Sequence, residues 1–293
     1  MRLTARGARS TPPIEGESDR RGRAELDFAR DPSGRTYIRR QYVSYPYHIC
    51  RPLTFAGDPP GMVTLYLQSC AGGIFQDDRL IERIGAGPGV GAQVTTQAAT
   101  IVHGMDLGPA SQQVSIDAAA DAFLEFLPDP FILFPRARFE SKVRVRADET
   151  ATVLLSDSFI SHDPHGGGAA FDWYRSTLTV EDSTGTTLAQ DRFGVAGAAM
   201  RGATPGITGA FATHGSFFVL HRRLPAEALV EALRGAVAGL GGTYAGASAL
   251  PAGCGAWLRV AAADGVALRA AMSGAWQGVR QRLTGLTPAP RRK

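Results

Sequence analysis

One segment of the sequence carries the side chains of a metal site. Residues 162–165 (HDPH) place two imidazoles and one carboxylate within four residues, directly before three glycines. Borderline metal ions such as nickel and zinc accept imidazole nitrogen, and a hydrolytic metal site needs about three protein ligands. One hypothesis is therefore a metal-dependent hydrolase centred on His162, Asp163 and His165. The residue types alone favour the other interpretation, an exposed Asp-Pro turn with two solvated histidines.

A second polar cluster contains two adjacent carboxylates, Asp77 and Asp78. Neighbouring residues of a strand point to opposite faces, so these two are not expected to act as a catalytic pair. One of them can enter the interior while the other stays in solvent. Shortly before them stands Cys70, and a nucleophilic cysteine needs a base that lowers its pKa. Because the sequence places no histidine beside it, a small buried core cysteine is the favoured interpretation.

The motifs of nucleotide and hydrolase chemistry are missing. Residues 87–92 (GPGVGA) match G-x-G-x-x-A by letters, but a Thr-rich extended segment follows instead of the helix that would meet a pyrophosphate. We interpret this stretch as a turn between strands. The sequence contains no G-x-x-x-x-G-K-[ST], no G-x-S-x-G and no H-E-x-x-H motif. These observations favour a non-catalytic binding or scaffold protein.

Charge and composition narrow the class of protein further. Residues 1–40 hold ten arginines against six acidic residues, which equals the net charge of +4 of the whole chain. This excess lies in a Pro- and Arg-rich head, predicted to be disordered over residues 1–21, and not on a folded basic face, so nucleic acid is not expected as a partner. No apolar run approaches the ~18–20 residues of a membrane span, and the three cysteines form no disulfide framework. We expect a cytoplasmic protein with no membrane partner.

Short alternating segments dominate the chain after the head. Residues 23–30 alternate apolar and polar side chains, which is typical of a half-buried strand, and a turn signal follows at residues 31–34. Strands that recur about every 8–12 residues between Gly, Pro and Asp predict a mainly β architecture. Further strands are predicted at residues 36–45, 62–67, 79–84, 92–102, 113–116, 122–127, 139–145, 151–160, 174–180, 187–193, 216–221 and 256–261. An apolar run at 131–134 is interpreted as a buried strand rather than an exposed partner-binding edge.

Two helices are predicted in the C-terminal third. The first opens at Pro225 and ends at the glycine pair 241–242, with an apolar stripe of Leu229, Leu233, Val237 and Leu240. Asp264 is the N-cap of the second, whose stripe is Leu268, Met272, Trp276, Val279 and Leu283. Gly274 and Gly278 weaken this helix, so it must depend on tertiary packing. No linker divides the chain, which predicts a single domain over residues 22–287 and a frayed tail over 288–293.

The ordered motifs resemble the UreD family of urease accessory proteins, called UreH in some organisms. Residues 72–80 (GGIFQDDRL) resemble its G-G-hydrophobic-x-G-D-x-L stretch, residues 95–100 (TTQAAT) its T-T-Q-[SA]-A-T segment, and residues 123–134 (FLEFLPDPFILF) its L-E-[WY]-L-P stretch. Asp77 stands where the family usually has glycine, while Asp78 keeps the family's aspartate. Residues 161–170 (SHDPHGGGAA) replace its G-R-x-x-x-G-E segment.

This resemblance implies a fold and a function. Members of the family have a helically wound, β-rich fold with two α-helices, which agrees with the predicted elements. They bind apo-urease and also UreF, which recruits the GTPase UreG, and nickel is passed through the assembly to the urease active site. The resemblance therefore implies a non-catalytic scaffold or metallochaperone with no tightly bound cofactor and with nickel(II) in transit.

A nickel path needs weak, successive ligands, because a tight site would retain the ion. Asp78, on a segment that matches the family, and Asp157, which precedes the divergent segment, are expected as path-lining carboxylates. Other polar residues on or near these segments are Thr95, Thr96, Gln97 and Glu125. For the two threonines the alternative is plain β propensity, and for Glu125 it is a solvated strand face. His162 and His165 form a hypothetical entrance or exit pair.

Overall fold

We describe the protein from a computed structural model, in which residues 21–201 and 208–289 are described. In chain order the strands are β1 (Arg21–Arg30), β2 (Thr36–Val43), β3 (Tyr47–Ile49), β4 (Val63–Ser69), β5 (Arg79–Ala86), β6 (Gly91–Thr96), β7 (Thr100–Val102), β8 (Ala110–Ala118), β9 (Phe123–Phe126), β10 (Phe131–Leu133), β11 (Arg138–Ala147), β12 (Thr152–Ser161), β13 (Trp173–Asp182), β14 (Thr187–Ala196), β15 (Thr213–Leu220), β16 (Thr243–Ala249) and β17 (Gly255–Ala262). The helices are α1 (Gly197–Arg201), α2 (Ala226–Val237) and α3 (Gly265–Thr284).

The strands form two sheets between which the chain winds. Sheet A has the order β14-β13-β11-β8-β5-β1-β2, and sheet B has the order β16-β17-β15-β12-β9-β6-β4-β3, with β7 and β10 beside it. The chain passes from β4 in sheet B to β5 in sheet A, then from β6 to β8, from β9 to β11 and from β12 to β13. Neighbouring turns of this winding pair in parallel. The predicted mainly β, helically wound single domain is confirmed.

Apolar rows in register explain why the strands show a period of two. Ile84 lies beside Ile116, Ile116 beside Val145, and Val145 beside Val180 on four successive strands of sheet A. All four side chains are buried between the sheets. Leu65 begins a matching row in sheet B with Val94, Phe126 and Leu155. Because alternate residues point to the core, each strand reads as apolar and polar in turn.

The helices cover the outer face of sheet B. Leu229 and Leu233 of α2 and Leu268 and Val279 of α3 are buried in one apolar cluster with β15 and β17. The Asp264 carboxylate accepts hydrogen bonds from the backbone N–H groups of Val266 (2.9 Å) and Ala267 (2.8 Å), so the predicted N-cap is confirmed.

Several sequence predictions need correction. The first helix ends at Val237, before Leu240, and the segment 92–102 is two strands separated by a bend. The short helix α1 and the strands β3 and β16 were not predicted. Cys70 is exposed, so the buried core cysteine is wrong. The predicted strand within 131–134 is confirmed, with Phe131 and Leu133 buried.

The predicted head and tail fall mostly outside the described residues. Of residues 1–21 only Arg21 is described, and β1 begins there. At the other end, Pro288 is buried, and residues 290–293 lie outside the described part, so the frayed tail stays a prediction. Within the described residues, none of the helices has the length and apolar character that a membrane crossing requires.

Candidate functional site

A cavity of about 220 Å³ lies between the two sheets, beside the Gly72-Gly73 turn that joins β4 to β5. Its walls come from the inner faces of β4 and β6 on one side and of β5 and β8 on the other. Oxygen-bearing side chains that line it are those of Tyr47, Gln68, Ser69, Asp78, Glu82, Thr95, Thr96, Gln97, Thr100, Gln112 and Asp129. The cavity therefore collects four of the eight residues that the sequence assigned to a nickel path: Asp78, Thr95, Thr96 and Gln97.

Asp78 and Asp77 have different surroundings, but they lie in the turn before β5 and not on a strand, so the strand alternation that the sequence analysis assumed is not the reason. Asp78 lines the cavity, and its Oδ2 accepts a hydrogen bond from the backbone N–H of Phe75 at 2.7 Å. Asp77 is exposed and has a φ of +64°. Glycine adopts this left-handed conformation without strain, and aspartate is among the residues that tolerate it. The backbone thus accounts for both the family's usual glycine and the aspartate found here.

The two threonines and the glutamine at the end of β6 hold the cavity wall in place. The Thr95 hydroxyl donates to the carbonyl of Leu127 at 2.7 Å. The Thr96 hydroxyl donates to Asp129 at 3.1 Å and accepts from the backbone N–H of Asp129 at 2.8 Å. Gln97 accepts a hydrogen bond from the Gln68 amide at 2.5 Å. These specific bonds show that the segment does more than favour an extended chain.

Sequence reasoning missed Glu82, which lines the same cavity and is only 3% exposed. Its Oε1 accepts hydrogen bonds from the Tyr47 hydroxyl at 2.8 Å and the Gln112 amide at 2.6 Å. Its Oε2 is buried and has no hydrogen-bond partner. Burial raises the pKa of this carboxyl above its usual range. The signal was partial: Leu80, Glu82 and Ile84 occupy alternate positions of β5 and so share its inner face, but the apolar Ile81 between them obscures the alternation.

Asp157 lies in a second polar cluster, apart from the cavity. The Tyr174 hydroxyl donates to its Oδ1 at 2.6 Å, and burial raises the pKa of the Asp157 carboxyl. Beside it, the guanidinium of Arg259 contacts both carboxylate oxygens of Asp191 at 2.8 Å. The His214 ring stacks on Phe193 with 4.3 Å between the centroids, and burial together with the positive charge of Arg259 lowers the pKa of His214 to about 3.

A polar row in sheet A connects the two clusters. Gln112, which donates to Glu82, is the register partner of Ser141, and Ser141 is the partner of Ser176 on β13. Ser176 is bonded to the Asp157 carboxyl. Polar side chains thus cross the interior from Glu82 to Asp157, transverse to the strands.

Glu125 does not belong to this polar row, and its contacts are with α3 on the other side of sheet B. It is fully buried, so the solvated strand face is wrong. Its oxygens accept hydrogen bonds from Arg280 Nε at 2.9 Å, Arg280 Nη2 at 3.2 Å and Trp276 Nε1 at 3.0 Å, and Gln93 also donates to it. Glu125 does not line the cavity. It anchors α3 to the outer face of sheet B.

His162 and His165 are exposed and do not join either cluster. The carboxylate of Asp163 accepts backbone hydrogen bonds from His165 at 3.0 Å and Ala169 at 2.8 Å, and these bonds lower its pKa. Asp163 therefore orders its own turn. Across residues 21–201 and 208–289, no group of three or more His, Cys, Asp and Glu side chains is arranged to hold a metal ion. Nothing in this geometry supports the hydrolase hypothesis.

The structure is thus a helically wound, mainly β domain with an oxygen-lined cavity between its two sheets, which is the architecture that the resemblance implied. The sequence matches the family described as UreD urease accessory protein over residues 20–293. It is 45% identical over 270 residues to Urease accessory protein UreD 1 of Pseudomonas syringae pv. syringae, covering 92% of this chain and 95% of that one. It is 38% identical over 284 residues to Urease accessory protein UreD 1 of Methylorubrum extorquens, covering 97% and 94%.

A more distant relative is Urease accessory protein UreD of Natronomonas pharaonis, 33% identical over 275 residues, with 92% of this chain and 90% of the relative covered. The chain belongs to the UreD family of urease accessory proteins. This is a family of accessory proteins and not of enzymes, which agrees with the predicted lack of a catalytic role.

Proposed function

We propose that this chain assists urease maturation in the cytoplasm as a non-catalytic scaffold that also guides nickel. It binds apo-urease and UreF, and through UreF it reaches the GTPase UreG. Nickel(II) passes through the chain toward the urease active site. The observation that carries this proposal is the oxygen-lined cavity in a chain that matches the UreD family over residues 20–293.

The chemistry of the cavity suits an ion in transit. Nickel prefers imidazole nitrogen, whereas the cavity offers carboxylates, hydroxyls and amide oxygens, which hold it less tightly. Asp78 supplies a charge at the Gly72-Gly73 end. The polar row through Ser141 and Ser176 leads from there to Asp157. Weak successive ligands let the ion advance, because no single site traps it.

The exposed histidines are proposed as an entrance or exit pair. Imidazole binds nickel more tightly than the oxygen ligands inside, so a pair on the surface can collect or hand over the ion. Replacing His162 and His165 together with alanine should lower the nickel content of co-expressed urease. Unchanged nickel content would dispose of this role while leaving the internal path intact.

The internal path is tested by two neighbouring aspartates. Asp78→Asn keeps the shape of the side chain and an oxygen that can accept the Phe75 N–H, but it removes the charge from the cavity. Asp77→Asn makes the same change at an exposed position where asparagine tolerates the positive φ. In cells that co-express urease, UreF and UreG, we expect Asp78→Asn to reduce nickel per urease active site and Asp77→Asn to leave it unchanged. Equal nickel with both variants would contradict a path through Asp78.

A further inference from the structure

The outer face of sheet A, on the side away from the cavity, carries a concentration of positive charge. Three neighbouring rows of register partners cross this face from β14 to β1. Their outward side chains include two carboxylates, Glu25 and Glu140, and eight exposed cations, which are Arg21, Arg23, Arg79, Arg83, Lys142, Arg144, Arg175 and Arg192. Eight positive against two negative charges give this region, here called the basic face, a net charge of +6, whereas the whole chain carries +4.

The basic face was not visible in the sequence, because its cations are spread over five strands. No folded basic face was expected from the charge counted along the chain, and the sheet register forms one. Beyond the third row the charge is mixed, since Asp27, Asp117 and Glu181 lie beside Arg40 and Arg146. The positive charge is therefore a bounded patch on this sheet.

The carboxylates of the basic face are too few to neutralise it. Glu25 is shared by three cations, Arg23, Arg40 and Arg83. Exposed ion pairs add little to stability, and cations crowded around one carboxylate repel one another. The arrangement therefore contributes little to folding and is suited to binding an anion.

The unpaired cations are spaced for a large anionic partner. Within the described residues, Arg79, Arg175 and Arg192 form no ion pair, and the Arg175 guanidinium lies over the Trp173 ring, 4.6 Å from its centroid. Arg79 and Arg175 lie on the same row, three strand positions apart, which corresponds to about 14 Å at the usual spacing of strands. A single phosphate or carboxylate cannot bridge that distance, so the face fits an anion that extends across several strands.

The side chains between the cations favour a protein as this partner. Sheets that bind single-stranded nucleic acid stack the bases on exposed aromatic rings, and binding to a membrane surface needs apolar anchors. Across these rows, all of which are described, the one aromatic ring is that of Tyr42 on the neighbouring β2, and the one apolar side chain is Ile81. Neutral polar residues, which can hydrogen-bond to a protein surface, fill most other positions: Ser111, Gln113, Ser115, Thr177, Thr179 and Gln190.

We propose that the basic face docks an acidic surface of a folded partner protein, and that this partner is apo-urease. The identification of the partner rests on the proposed function, in which urease must be bound and then released once it has received its metal. A flat, charged contact suits such a transient complex, because long-range attraction speeds association without the apolar core that makes an interface permanent.

The test compares two triple variants of the full chain that have the same net charge. The face variant replaces the three unpaired cations: Arg79→Gln, Arg175→Gln and Arg192→Gln. The matched control makes the same change at three exposed arginines elsewhere in the chain: Arg51→Gln, Arg222→Gln and Arg282→Gln. Binding of purified apo-urease to each chain is measured by surface plasmon resonance at several salt concentrations.

The face variant should associate with apo-urease about tenfold more slowly than the unmodified chain, and the control should stay within about twofold. Added salt should slow the unmodified chain toward the face variant, because it screens the attraction. Equal association rates of the face variant and the control would overturn the inference. Tighter binding of the unmodified chain to single-stranded DNA or to phosphatidylserine vesicles than to apo-urease would also overturn it, since the face would then fit another class of partner.

Thermal unfolding shows whether each variant is folded. Both should melt close to the unmodified chain, because none of the replaced arginines forms an ion pair with a described residue. If the face variant does not fold, the salt series of the unmodified chain decides, and an association rate that does not change with salt would overturn the inference.

Failure of the inference can be distinguished from failure of the proposed function. If apo-urease binds the unmodified chain and the face variant equally, the basic face is excluded and the maturation role stands. If apo-urease does not bind the unmodified chain, the proposed function fails and the inference fails with it.

Discussion

Arg280 is the residue that ties the C-terminal helix to the sheets. Its side chain is 1% exposed and contacts Glu125, Asp58 and the sulfur of Met62, all of which lie far from Arg280 in sequence. Buried ion pairs of this kind add little net stability over an apolar replacement of both partners, but they are costly to break. The contact therefore specifies where α3 sits.

Arg280→Met tests this reading of the buried pair. The substitution leaves the Glu125 carboxylate buried without its cation, so we expect the free energy of unfolding in urea to fall by about 3–5 kcal/mol. Arg282→Ala, on the exposed side of the same helix, should change it by less than about 0.5 kcal/mol. Similar values for the two variants would show that the buried pair does not hold the helix.

His214 gives the protein a predictable sensitivity to acid. Its pKa falls from 6.5 to about 3 in the folded chain. Below pH 6.5 the unfolded chain takes up a proton that the folded chain refuses, so stability is lost as the pH falls toward 3. His214→Phe keeps the ring between Phe159 and Phe193 but cannot titrate. Between pH 7 and pH 5, the free energy of unfolding in urea should fall by about 2 kcal/mol more for the unmodified chain than for this variant. An equal fall for both would contradict a lowered pKa of His214.

Individual residues were the hardest level to predict from sequence. The two aspartates do differ in exposure, as expected, but they lie in the turn before β5, so the strand alternation from which this was predicted does not apply to them. Glu125 was predicted wrongly, because the side of β9 that should meet water is covered by α3, more than a hundred residues later in the chain. Glu82 was overlooked for a related reason. Its strand alone does not show that the carboxylate faces the interior, because the other residues around it come from strands that are distant in sequence.

At the scale of elements, glycines set the distance between α2 and α3. A Cβ on Gly274 would lie 2.9 Å from the carbonyl oxygen of Ala236, and one on Gly278 would lie 3.2 Å from the Ala236 Cβ. The helices approach closely because these positions carry no side chain. The low helix propensity of the two glycines is thus offset by packing, as the sequence indicated.

Replacing Gly274 or Gly235 with alanine should change the free energy of unfolding in opposite directions. Gly274→Ala collides with backbone, so despite its better helix propensity we expect a loss of about 1–3 kcal/mol in the free energy of unfolding. Gly235→Ala in α2 meets nothing within 4 Å and should gain up to about 1 kcal/mol. Urea unfolding of both variants measures the two effects. A gain at Gly274 would mean that the helices do not pack this closely.

Elements with a clear period were predicted well from sequence. The long strands and both C-terminal helices show alternation or an apolar stripe, because a buried row or an apolar cluster lies on one side of each. β16 (Thr243–Ala249) was missed since its Gly, Ala and Ser residues carry no alternation and it forms the edge of sheet B. The division of 92–102 was missed because Thr-rich sequence favours extended chain on both sides of the bend.

At the scale of the whole molecule, the winding fits the proposal that one chain is both a scaffold and a path for nickel. Each turn places one strand in each sheet, so polar residues at matching register positions form a row across the interior. In the proposed path the ion stays inside, between the two sheets. The sequence indicated the family and the fold, but the transverse row depends on the register of the three strands β8, β11 and β13 and is not visible in any one segment.

The most direct test of this account is the nickel content of urease matured with and without the chain. Urease structural subunits are co-expressed with UreF and UreG, with this chain present or absent, and nickel per active site is measured in the purified urease. If the chain has the proposed maturation role, urease should contain nickel only when the chain is present. Equal nickel in both preparations would contradict the maturation role.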